Sequence, residues 1–269
     1  MITSTLDTPY ELPSDAPSRF EDDGFVRLSG VLDAETVEHY EPVITDQVIE
    51  LNTMHLPLEE RDTYSKAFLQ VENLWEHGGA VRELVFSQRL AKLAADLLGV
   101  DGVRLYHDQA LYKESGGGVT PWHADQYYWP LATDRVCTLW LPLQETTSEM
   151  GPLAFAAGSH RFSFGRDLPI SDESEEKLAA ALEEQRFRVV DEPFQLGDAS
   201  FHFGWTFHHA SPNTAPNPRR VMTIIYMDAA MTVAEPTNRN QHADLNRWMP
   251  GAVPGEVPDT PLNPILYHR

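Results

Sequence analysis

From Val103 to Met227 the sequence is a succession of short β-rich runs, each closed by a turn, and nothing else in it constrains the fold as strongly. The runs fall at 103–113, 119–128, 135–143, 152–156, 186–191, 199–207 and 219–227. Turn-rich segments such as Gly116-Gly117-Gly118 and Ser148-Glu149-Met150-Gly151 separate them. Many short strands in one chain bury their apolar faces against each other, which points to a β-sandwich or jelly roll. An acidic helix interrupts the series over 171–185, with Ser171 as its cap and Leu178 and Leu182 on one face.

The first third is helical with one early strand. Asp15 is placed to cap a short helix reaching Asp23, and a strand follows at 25–28. Asp33 caps a long helix to about residue 51, with a bend expected at Pro42. Apolar spacing over 80–99 predicts a single helix that stops at Gly99. The segment after Met231 is rich in proline and reads as an extended wrap. With no linker in sight, one domain is expected: helical elements over 1–100, a β core over 101–230 and the wrap over 231–269.

A chain of 269 residues can bury one sizeable core. Its formal charge of −21 argues against nucleic acid or an anionic membrane as partner, since both need a basic face. The single cysteine, Cys137, excludes an internal disulfide and a cysteine-type zinc site. The start "MITSTLDTPYELPSD" has neither a basic opening nor an apolar run, so a cytoplasmic protein is expected. A small-molecule partner suits these features, with a monomer or homodimer as the assembly.

The strongest local signal is "PWHADQYYWP" at 121–130. In a strand, His123 and Asp125 lie on one face about 7 Å apart along the chain, so an imidazole and a carboxylate can take adjacent corners of one metal. A histidine from a neighbouring strand would complete two His and one carboxylate around iron, with open positions left over. The plainer reading of His-x-Asp is a surface pair. His242-Ala243-Asp244 repeats the tripeptide in a polar, helix-like segment, where residues two apart diverge by about 200°, and is read as surface. Zinc hydrolysis would fit the same ligands, but the chain lacks a base motif such as His-Glu-x-x-His.

The context of the first copy resembles the phytanoyl-CoA dioxygenase family. The resemblance runs through "LYHDQALYKESGGGVTPWHADQYYWP", "TLWLPLQETTSEMGPLAFAAGSHR", "FQLGDASFHFGWTFHHASPNTAPNPRR" and the tail "WMPGAVPGEVPDTPLNPILYHR". It implies a double-stranded β-helix (jelly roll, cupin-like) core with flanking helices, and an Fe(II)- and 2-oxoglutarate-dependent dioxygenase. Carried over, the metal ligands fall on His123, Asp125 and His208. Gly197-Asp198, Asn213 and Pro218-Arg219 match the family's distal strand. Arg219 then holds the far carboxylate of 2-oxoglutarate, with Trp140 and Gln109 beside it. Where many members have serine two places after the ligand histidine, this chain has Ala210. Tyr112, Lys113, Tyr127 and Trp205 are the expected substrate-pocket residues. For each of these the plainer reading is core packing or a surface charge.

The implied reaction is hydroxylation of an unactivated C–H bond of a small or medium-sized metabolite in a biosynthetic pathway. Because Asp125 is present, hydroxylation is favoured over halogenation. Desaturation, cyclisation or epimerisation start from the same hydrogen abstraction, and a non-catalytic jelly-roll binding module is the alternative of a different class. The doublet His208-His209 carries an ambiguity, since neighbours in a strand face opposite ways. His208 alone has Asn at +5 and Pro-Arg at +10 and +11, so His208 is taken as the ligand and His209 faces away.

Overall fold

A computed structural model describes residues 5–269. The strands are β1 (Phe25–Leu28), β2 (Leu69–Glu72), β3 (Gly102–Lys113), β4 (Thr120–His123), β5 (Val136–Pro142), β6 (Leu153–Ala156), β7 (Val189–Val190), β8 (Ala199–Phe203), β9 (His208–Ala210), β10 (Arg219–Asp228) and β11 (Ile265–His268). The helices are α1 (Ala16–Asp23), α2 (Ala34–Leu51), α3 (Thr63–Ala67), α4 (Gly79–Val85), α5 (Gln88–Leu98), α6 (Asp172–Glu184) and α7 (Arg239–Trp248). The pairings are antiparallel. A seven-stranded sheet runs β1-β8-β5-β10-β3-β11, with β2 also on β3, and a four-stranded sheet runs β4-β9-β6-β7. The expected jelly-roll core is thus present as two separate ladders facing one cavity, not as a closed barrel.

The period-2 alternation of the long strands sorts side chains between two environments. On β10, Met222, Ile224 and Tyr226 join the main core under the helices, while Val221 and Ile225 face the other way. Helix α5 seals that core through Leu90, Leu93 and Leu97, each worth about 1.5–3 kcal/mol when fully buried. Asp33 caps α2 by accepting from Thr36 N at 2.7 Å, and Ser171 caps α6 with a reciprocal bond to Ser174. Leu178 and Leu182 are the buried face of α6, as its spacing predicts.

Several expectations need correction. The helix over 80–99 is two, because Ser87 breaks away at α4's end and caps α5 through Leu90 N at 3.3 Å. The strand over 119–128 ends at His123, and Asp125 opens a 3-10 turn over Asp125–Tyr127. The run over 199–207 crosses from one sheet to the other between β8 and β9. At the crossing Gly204 comes so close to Trp129 and Gln126 that a Cβ would lie 2.8 Å from the indole. The run over 186–191 keeps only the two residues of β7. The extended wrap after 231 carries α7 and β11, because Trp248 and Met249 find a core to enter. Among the described residues no helix is long and apolar enough to cross a membrane.

Candidate metal centre

Two antiparallel strands set the first two ligand positions. His123 on β4 and His208 on β9 are direct cross-strand partners, so the backbone ladder fixes their spacing. Their rings stand 4.2 Å apart between centroids. Ala124 keeps extended dihedrals, and the turn that follows brings the Asp125 carboxylate beneath both rings. Oδ1 of Asp125 lies 3.6 Å from Nε2 of His123 and 3.6 Å from Nε2 of His208. The ligating atoms of all three lie within 4.8 Å of one another.

The hydrogen bonds say which form these groups take. Nδ1 of His123 faces Pro121 O at 2.7 Å, and Nδ1 of His208 faces Thr206 O at 2.9 Å. A carbonyl only accepts, so each ring carries its proton on Nδ1, and a neutral ring then has a lone pair on Nε2. Burial, reinforced by His123, pushes the His208 pKa well below its ordinary value, which keeps that ring neutral. Burial opposes charge on Asp125, while the hydrogen bond from His202 supports it. Three electron-pair donors therefore converge on one point, a set that a divalent metal ion satisfies.

Asp125 is itself held. Thr138 Oγ1 donates to its Oδ2 at 2.9 Å, and His202 Nε2 reaches the same oxygen at 3.2 Å. Oδ1 is left for the histidine side. His202 and Thr138 are cross-strand partners on β8 and β5. From the sequence His202 could support a ligand but reads more plainly as a structural histidine, and the register of β8 against β5 turns it to the carboxylate.

On the same cavity, Arg219 opens β10 with its guanidinium buried. It donates to Gly151 O, its Nε has no partner, and burial alone lowers its pKa to about 9. A cation so buried without an acidic neighbour is costly, and a planar carboxylate from a ligand would compensate it. Trp140 stands 5.4 Å from the guanidinium, centroid to Cζ. Ala210 lines the same cavity.

The cavity holds about 320 Å³ and is bounded by both sheets. Trp140 and Gln109 line it. Tyr112 does not, because it falls on the opposite face of β3 from Gln109 and its hydroxyl meets Thr45 at 2.8 Å in the helical layer. Lys113 pairs with Arg219 across β3 and β10, and its Nζ is taken up by Gly118 O, Thr120 Oγ1 and Ser211 O. Tyr127 turns away within the 3-10 turn, its carbonyl bound by the side chains of Asn238 and Gln241, and Tyr128 takes the cavity wall instead. Trp205 lines a separate hollow under the Arg166 guanidinium at 4.7 Å.

His209 stacks on Trp122 at 4.1 Å, away from the triad, as strand parity requires. The remaining motif residues are turn-makers. Asn213 bonds the carbonyls of Lys113 and Asn217, and Gly197 has φ of +86° where a Cβ would meet Leu32 O. Arg220, on the opposite face of β10, pairs with Glu41 at 2.8 Å. The second His-x-Asp is helical as expected, but Asp244 is no surface residue. It lines the cavity and accepts from Tyr106 Oη at 3.0 Å.

The family model for phytanoyl-CoA dioxygenase (PhyH) matches residues 20–221. A probable alpha-ketoglutarate-dependent hypophosphite dioxygenase of Stutzerimonas stutzeri is 24% identical over 225 residues, covering 77% of this chain and 76% of that protein. Among solved structures, the non-heme alpha ketoglutarate dependent carbocyclase SnoK from nogalamycin biosynthesis superposes with a TM-score of 0.77 at 22% identity, over 96% of this chain and 99% of SnoK. The epimerase SnoN, in complex with Fe3+, alpha ketoglutarate and nogalamycin RO, gives 0.77 at 25% identity, over 94% of this chain and 97% of SnoN.

Proposed function

Because the chain belongs to the phytanoyl-CoA dioxygenase family, we propose that it hydroxylates an unactivated C–H bond of a small or medium-sized metabolite. It is a non-haem iron enzyme that uses 2-oxoglutarate and O₂ as co-substrates. The observation that carries the residue assignment is the convergence of three lone-pair donors beside a buried, uncompensated guanidinium.

In this reading His123, Asp125 and His208 hold Fe(II), and Arg219 receives the distal carboxylate of 2-oxoglutarate with Trp140 packed beside it. When bound, the iron supplies the oxidation that couples decarboxylation of 2-oxoglutarate to attack on the substrate C–H bond. The chain's own part is positional. Pro121 O and Thr206 O fix the two imidazole tautomers, while Thr138 and His202 occupy one carboxylate oxygen and leave the other for the metal. Carbocyclase and epimerase activities among its structural neighbours favour, as a second reading, cyclisation or epimerisation at the same centre.

The test is metal-dependent binding of 2-oxoglutarate, followed by succinate release with Fe(II) in air across a metabolite panel and mass spectrometry of the product. Binding that needs Fe(II), and a product heavier by one oxygen atom, are the expected results. A product lighter by two hydrogens or unchanged in mass would replace hydroxylation, and absence of 2-oxoglutarate binding would overturn the assignment.

A further inference from the structure

The two ends of the cavity differ in chemistry, with a buried guanidinium at one and a cluster of acceptors at the other. Along β3 the side chains of His107, Gln109 and Leu111 share the cavity face, and Lys113 ends the row opposite Arg219. Six residues separate Lys113 from His107, about 20 Å at the strand rise. Arg219 marks one end, and the ligand triad lies on the facing sheet.

At the other end the groups are mostly acceptors. Glu72 on β2 is the cross-strand partner of Gln109, and Asp244 comes from α7. The imidazole of His107 is 5% exposed, lines the cavity, and its Nδ1 faces Asp108 O at 3.3 Å. With the proton on Nδ1, its Nε2 is an acceptor turned to the cavity. Burial lowers the His107 pKa to about 4, so the ring stays neutral. Burial, with Glu72 adding to it, raises the Asp244 carboxyl to about 7.

These groups form one corner. His107 packs on Trp248 at 4.9 Å, Trp248 lies one helical turn beyond Asp244, and Tyr106, next to His107, donates to Asp244. The one cation present, Arg247, is spent on Glu72 at 2.8 Å and is mostly exposed at the rim. The neutral amides satisfy each other, since Gln70 Nε2 donates to Gln109 Oε1 at 2.6 Å. Two carboxyl groups and one imidazole lone pair thus face a single guanidinium that Glu72 already holds, which leaves the corner rich in acceptors.

We propose that the substrate carries a basic nitrogen, and that its ammonium group seats among Asp244, His107 Nε2 and Glu72 while a neighbouring carbon faces the triad. The inference rests on the iron- and 2-oxoglutarate-dependent reading, because it assigns the Arg219 end to the co-substrate. An ammonium offers N–H donors to every acceptor in the corner and returns Asp244 to its ionised form. A carboxylate or phosphate substrate would bring acceptors to a corner that already holds acceptors and would find no free cation there. The formal charge of −21 on the whole chain also draws cations towards the mouth.

The experiment uses the Fe(II)- and 2-oxoglutarate-loaded protein without oxygen, with matched probes: cyclohexylamine and cyclohexanol, benzylamine and benzyl alcohol. Calorimetric titration should show each amine binding at least about tenfold more tightly than its neutral partner. Asp244→Asn should remove most of that preference, and Glu72→Gln should reduce it. Neutral probes binding as well as amines, no binding by any amine, or a preference that survives Asp244→Asn would overturn the proposal. The unaltered protein keeps the inference testable if a variant fails to fold. Binding of 2-oxoglutarate is measured on the same sample: its loss sinks the proposed function, whereas its presence without amine preference sinks only this inference.

Discussion

His202 and Asp125 meet at 3.2 Å through a carboxylate oxygen that Thr138 also holds, and the other nitrogen of His202, buried, has no partner. The ring is therefore committed to orienting the carboxylate. Replacing it should loosen the metal without removing a ligand. For His202→Ala we expect Fe(II) affinity to fall about 10–100-fold, measured by competition with a chelator. Unchanged affinity would show that Thr138 suffices.

Arg219 leads to a prediction with two opposite signs. Its buried charge has no acidic partner among the described residues, and in the proposed reading the co-substrate supplies one. Arg219→Met should lower 2-oxoglutarate affinity by about 2–5 kcal/mol, read by titration. In the ligand-free protein the same change should leave stability equal or raise it by up to about 4 kcal/mol, read by denaturant unfolding. A ligand-free variant that is strongly destabilised would mean that Arg219 is chiefly structural.

Asp244 predicts a pH-dependent stability difference. Its carboxyl is raised from the ordinary 3.8 to about 7, first by burial. Between those values the folded state holds the extra proton, so folding loses stability as pH rises through about 7 and keeps it below about 4. Asp244→Asn removes this dependence. Its melting temperature should exceed that of the unaltered protein at pH 8 and match or fall below it at pH 4.

The histidine doublet separates cleanly. His208→Ala should abolish specific Fe(II) binding. His209→Ala should leave it within about twofold and cost about 0.5–1.5 kcal/mol from the lost stacking on Trp122. If His209→Ala removed the metal instead, the register of β9 would be wrong.

Much of this was legible in the sequence where period and spacing act locally. Strand alternation separates His208 from His209, and the same alternation on β3 places Gln109 in the cavity and Tyr112 behind it, a distinction the sequence reading left unused for Tyr112. Asp125 was found for an incomplete reason, because a turn and not a strand delivers it. Glu72 and Asp244 were missed as site residues, and His202 was offered as a support for a ligand but ranked below a structural role, for a common cause. Each reaches the cavity through an element placed by tertiary packing, namely β2 on the edge of β3, α7 folded back from the tail, and β8 in register with β5. The repeat His242-Ala243-Asp244 was rightly rejected as a ligand pair, yet its helix is what carries Asp244 inward.

The cross-strand pairing of His123 with His208 gives the centre a tolerance to length changes. β9 is three residues long and enters from the link that Gly204 begins. Removing one residue from that link would slide β9 forward by one position, and a slip of one reverses which face each side chain takes. In most strands this would exchange a ligand for an unrelated residue. Here it would deliver His209 to the place that His208 leaves, so the doublet allows the link to shorten by one residue while an imidazole still faces Asp125.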